Sequence, residues 1–135
     1  MSTFDYGKVK DPRYFCENRL EAHSDHGYYA TVEAAQEQES DFVENLNGLW
    51  KFHYAKNYES TIQGFEKEEY SCADWDDIHV PAHIQMEGYD APQYANTQYP
   101  WEGHEDIHPG EIPTHFNPVA SYVKYFTVPK RMQGK

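Results

Sequence analysis

Three stretches of this chain alternate apolar and polar side chains with the period of two that marks a strand. In residues 49–54, Trp50, Phe52 and Tyr54 alternate with Lys51 and His53, which predicts a strand with the aromatic set toward a core. Asn47-Gly48 just before it is a strong turn signal, so the strand follows a tight bend. In residues 75–80 (WDDIHV), Ile78 and Val80 share one face while Asp77 and His79 share the other. Residues 121–128 (SYVKYFTV) are rich in β-branched and aromatic side chains and predict a third strand, with residues 130–135 as the turn after it.

Helical signals are weaker. Residues 31–39 (TVEAAQEQE) combine the helix formers Ala34, Ala35 and Gln36 with Thr31 as an N-cap and acidic residues near the start, which predicts a short surface helix. The run Glu37, Glu39, Asp41, Glu44 reads as its solvated face. Residues 57–70 are polar, broken by Gly64, and hold only Ile62 and Phe65 at helical spacing, so a loop with one helical turn is expected. Residues 1–20 carry charge and isolated aromatics without a period and read as an extended arm, with a turn of helix expected in residues 17–23 (ENRLEAH).

The second strand runs straight into residues 80–100, VPAHIQMEGYDAPQYANTQYP, on which the chain is organised. Pro81, Pro92 and Pro100 rule out a helix there and confine any strand to an edge. Long structureless loops are uncommon in compact domains and are usually functional or disordered. Ile84, Met86, Tyr89, Tyr94 and Tyr99 give this one more to bury than a disordered tract holds, so an ordered binding loop is expected. A further irregular stretch, residues 101–118, carries three prolines, two glycines and three histidines.

Composition narrows the partners. At 135 residues the chain has room for one ordinary domain, and its 39% of hydrophobic residues, rich in tyrosine, suffice for a core. Twelve tyrosines suit a surface that meets carbohydrate or protein. The formal charge of −12 disfavours nucleic acid and anionic membranes, leaves a neutral sugar unaffected, and otherwise keeps a protein soluble. Without an apolar stretch fit for a signal peptide or membrane span, a cytoplasmic location is expected, with Cys16 and Cys72 as free thiols.

Asn96 is the leading candidate for a site. Its amide offers an acceptor beside two donors, which matches a sugar hydroxyl that both donates and accepts. Asparagine also suits a turn conformation, and on sequence alone the two readings balance. Gly88 and Asp90, with Tyr89 and Pro92, are expected to shape the loop, Gly88 by backbone freedom and Asp90 by capping its own turn. Trp101 could stack on a sugar ring or pack against a neighbouring domain. The pairs His79/His83 and His104/His108 have metal-ligand spacing, but neither falls on a predicted helix, so no metal site is assigned.

The wording of residues 80–100, together with LNGLWKF (46–52), NPVASYVKYFTVP (117–129) and ENRLEAH (17–23), resembles the N-terminal sugar-binding domain of bacterial β-galactosidases of glycoside hydrolase family 2. The resemblance covers the chain from residue 11 to its end. It implies a mainly β fold, a jelly-roll (galactose-binding-like) β-sandwich with long irregular loops. Residues 1–45 would be an arm with a short helix and residues 46–135 the first part of the sandwich. Three strands are too few to close such a sandwich, so the chain reads as cut before the domain ends.

The resemblance also implies an activity that belongs to a larger protein. Retaining glycosidases need two carboxylates about 5 Å apart. The family takes both from a TIM barrel, so no catalytic residue is expected among Glu87, Asp90, Glu102, Glu105, Asp106 and Glu111. The asparagine of the family's Tyr-x-Asn-x-x-Tyr-Pro motif, here Asn96, contacts the galactosyl group in the barrel's active site. Thr97 stands where the family often has valine or isoleucine and would line the same pocket. The implied partners are a terminal β-galactoside of the lactose type, the remaining domains of the same enzyme, and other copies in a homotetramer. Magnesium and sodium are implied for the full-length enzyme, with no ligand placed in this chain. The rival reading is a free-standing, non-catalytic carbohydrate-binding or interaction module. A β-glucuronidase or β-mannosidase fits the wording of the loop less well.

Overall fold

The computed structural model describes residues 5–92, 96 and 99–134. Among these residues a sheet of three antiparallel strands forms, β1 (Gly48–Ala55), β2 (Asp76–Val80) and β3 (Val119–Val123), in the order β2-β1-β3. The architecture is mainly β with little helix, a partial β-sandwich as expected.

β1 is central because its alternation supplies both neighbours. Gly48 opens it at φ 115°, a value that excludes most side chains, and so fulfils the Asn-Gly turn signal. Phe52, fully buried, stands opposite Asp76 on β2 and Tyr122 on β3. Its ring lies 4.9 Å from that of Tyr122. Burying such a side chain stabilises a fold by about 1.5–3 kcal/mol.

The opposite face is covered as well, where sequence alternation placed only Lys51 and His53. His53 packs on Trp75 at 5.4 Å, and Trp75 in turn meets Phe65 and Tyr70. Ala55 and Cys72 are buried, and Lys51 pairs with Asp77, its cross-strand partner, at 3.0 Å. The aromatics of residues 57–75 thus build a second small core that a one-sided reading of β1 leaves out.

Other expectations shift. The third strand begins two residues earlier and ends at Val123, since its register matches Val119 to Ala55 and Val123 to Lys51. Tyr125, Phe126 and Val128 fall beyond that ladder and are exposed. The one helical turn expected within the loop of residues 57–70 is a 3-10 turn at Tyr58–Ser60, capped by Asn57, whose side chain accepts from the Ser60 amide at 3.0 Å. Residues 17–23 form no helix: Asn18 has φ 54° and Leu20 is exposed, so no packed face stabilises one. The arm's 3-10 helix lies upstream, at Tyr6–Lys10. The helix α1 (Val32–Glu37) forms where expected, with Thr31 Oγ1 accepting from the Ala34 amide at 3.1 Å.

Candidate substrate-binding site

The segment after β2 is fixed to the sheet before it reaches Asn96. From Val80 the chain passes through a cis peptide to Pro81 and folds into a turn in which the Glu87 and Tyr89 amides both donate to the Ile84 carbonyl at 3.1 Å. Gly88 at φ 93° and Asp90 at φ 59° bend it back. No atom lies within 4 Å of a Cβ built on Gly88, so its need for glycine is conformational, as the sequence suggested. The bend lays the Tyr89 ring on Phe52, edge to face at 4.6 Å, and its hydroxyl donates to Asp76 Oδ2 at 2.9 Å. Asp90 reciprocates by accepting from the Tyr54 phenol. Loop and sheet therefore exchange one tyrosine–carboxylate bond in each direction. Burial, then the facing carboxylate, pushes both phenols above the usual tyrosine value.

A second attachment follows Asn96. Residues 99–105 close on themselves: Glu102 donates its amide to the Tyr99 carbonyl and accepts from the Tyr99 amide, while the amides of His104 and Glu105 donate to the Trp101 carbonyl. The Trp101 backbone sits at φ 67°, an uncommon conformation for a bulky residue. Its indole N–H donates to the Phe116 carbonyl at 2.7 Å, so Trp101 binds its own loop. The Glu105 carboxylate accepts from three successive backbone amides, Thr114 at 2.9 Å, His115 at 3.1 Å and Phe116 at 3.4 Å, and from the Thr114 hydroxyl at 3.2 Å. Those bonds, the Thr114 amide foremost, hold its carboxyl below the ordinary glutamate value. Residues 114–117 are tied to the end of β1 in turn: the Asn117 amide donates to the Lys56 carbonyl at 3.0 Å and the Asn57 side chain to the His115 carbonyl at 3.3 Å.

Asn96 is an exposed turn residue between these two attachments. Thr97 lies outside the described residues. A concavity of about 550 Å³ is lined by Tyr99, Trp101, Glu102, His104 and Glu105, among others. Of the site residues, the sequence named Asn96 and gave Tyr89 and Gly88 a shaping role. Glu105 it passed over as one glutamate in a charged loop, and no local signal ties it to backbone nine residues away.

Three of the four paired histidines have separate engagements. His79 faces Glu87 at 4.0 Å, His104 stacks on Phe116 at 5.6 Å, and His108 meets Glu111 at 3.2 Å. Among the described residues no three His, Cys, Asp or Glu side chains converge.

Comparison with known proteins adds to this geometry. The family described as glycosyl hydrolases family 2, sugar binding domain, matches residues 43–135. A β-galactosidase of Halalkalibacterium halodurans is 52% identical over 127 residues, 93% of this chain and 12% of that protein. A β-galactosidase of Streptococcus thermophilus is 42% identical over 127 residues, 94% of this chain and 12% of its own length. A β-galactosidase large subunit of Latilactobacillus sakei is 37% identical over 136 residues, 92% of this chain and 22% of that subunit. The chain thus spans between about an eighth and a quarter of these relatives.

Proposed function

The chain belongs to glycosyl hydrolase family 2 through its sugar-binding domain, and from that premise we propose that it serves within a β-galactosidase that hydrolyses terminal β-galactosides such as lactose with retention of configuration. Its contribution is to binding. Asn96 meets a hydroxyl of the galactosyl group with its amide, Thr97 lines the same pocket, and the catalytic carboxylates come from other domains. In this reading the protein works in the cytoplasm as a homotetramer. Magnesium and sodium are held by residues outside this chain.

The observation that carries the proposal is the attachment of the described residues that precede and follow Asn96 in sequence. Recognition of a sugar by a short polar side chain calls for a shaped loop, and here Tyr89, ahead of Asn96 in sequence, is tied to the sheet and Glu105, after it, to residues 114–116. Sites built from loops on a rigid sheet follow this plan. The test is Asn96→Ala in the full-length protein. Loss of the amide is expected to lower kcat/KM for a nitrophenyl β-galactoside by about 1–3 kcal/mol of transition-state binding. Wild-type kinetics in that variant would remove Asn96 from the site.

A further inference from the structure

We propose that the concavity lined by residues 99–107 is a second carbohydrate site, which takes one ring of a neutral saccharide and does not depend on the galactosyl contact given to Asn96 above. Its volume of about 550 Å³ lies within the range of about 300–1,000 Å³ in which proteins hold small ligands. Its wall is held in shape by bonds among described residues. Tyr99 and Glu102 close on each other, the Trp101 carbonyl receives the His104 and Glu105 amides, and Glu105 and the Trp101 indole fasten the turn to residues 114–116. Such a wall is set before a ligand arrives, which lowers the cost of binding. The lining then selects the ligand. Glu102, Glu105 and Asp106 bring carboxylates, and among the described residues no lysine or arginine lines the space, so phosphates and sugar acids are repelled. Accepting oxygens call for a ligand rich in O–H donors. The Asp106 carboxylate and the His104 ring nitrogens bond to no other described residue, while stacking on Phe116 at 5.6 Å holds the His104 ring in place. Tyr99 is 76% exposed although its amide is fixed at 3.0 Å by the Glu102 carboxylate, so it offers an open aromatic face to the same concavity. An apolar face flanked by acceptors matches a pyranose, which carries C–H groups on its face and hydroxyls at its rim. The family's description as a sugar binding domain covers these residues as well.

The test is hydrogen exchange of the full-length protein, titrated with glucose and with galactose and read by mass spectrometry at the amides of residues 101–107. At least one of the two sugars is expected to slow exchange there in a saturable way. Tyr99→Ala, which removes the aromatic face, and Asp106→Asn, which removes the charged acceptor, should each raise the midpoint of that titration about tenfold. Tyr99→Phe keeps the ring and should keep the wild-type midpoint, as should Asn96→Ala. Asp106→Asn preserves shape at an exposed position, so it carries the test should Tyr99→Ala not fold. No change of exchange with either sugar would overturn the proposal. So would a change that disappears in Asn96→Ala and persists in Asp106→Asn, since the effect would then belong to the galactosyl site. The two readings fail separately: if Asn96→Ala has wild-type nitrophenyl galactoside kinetics while Asp106→Asn shifts the midpoint, the role of Asn96 falls and the second site stands.

Discussion

The arm and the loops between β2 and β3 are alike in composition, polar and irregular with scattered aromatics, yet they are held in different ways. In the arm, the bonds among the described residues are mostly local: Asp11 accepts from Arg13, Lys8 reaches Tyr14 and Glu17, and Thr31 caps α1. Its farther reach is to the chain's end, where Arg131 meets Glu44 and the Val43 carbonyl. Phe15 and Leu20 are more than four-fifths exposed. The loops instead return repeatedly to the sheet and its flanks, through Tyr89, Asp90, Trp101, Glu105 and Asn117. Aromatic content therefore does not separate a shaped loop from an arm. What separates them is whether the sheet or the segments that flank it stand opposite to receive each side chain.

The sharpest way to break this contrast is to remove the receiver. Phe52→Ala should destabilise the sheet by about 3–5 kcal/mol and release Tyr89 with it. Hydrogen exchange at the β1 amides and at Tyr89 should rise together, while the amides of α1 keep their wild-type rates. Acid should act more narrowly. Because folding lowers the Glu105 pKa, its stabilising contribution is complete above the ordinary value of 4.5 and is lost as pH falls through the lower folded value. The Thr114, His115 and Phe116 amides should lose protection in that window, ahead of β1. The smallest effect belongs to the arm: Arg13→Ala, which removes an exposed pair with Asp11, should leave the melting temperature and galactoside kinetics unchanged, because solvent screens such a pair.

How much was legible beforehand follows the same division. β1 and β2 could be read because alternation and the Asn47-Gly48 turn are local facts, and the Thr31 cap likewise needed only its own neighbours. The limits of β3 could not, since they depend on which residues β1 offers as partners: Tyr125 and Phe126 have strand propensity but lie past Lys51 in the ladder. That Trp75 covers His53 could not be read, because the two lie twenty-two residues apart and no local signal joins them. Asn96 was singled out by its amide chemistry and by the wording around it. Glu105 was not, because its partners Thr114 to Phe116 come close only once the intervening loop has folded.

The partial sandwich leaves Tyr125, Phe126 and Val128 exposed beside an open strand edge, the kind of surface that in proteins is normally covered by further chain. A binding role within a larger enzyme is consistent with that surface and with the small share of each relative that the chain spans. The free-standing module would have to remain soluble with it uncovered.

The most direct measurement is a crystal structure of the full-length protein with galactose bound. The account predicts the Asn96 side-chain amide within about 2.7–3.2 Å of a galactosyl hydroxyl, with Tyr89 still on Phe52 and Glu105 still on the Thr114 to Phe116 amides. A sugar bound with Asn96 turned away from it, or held elsewhere than beside this segment, would contradict it.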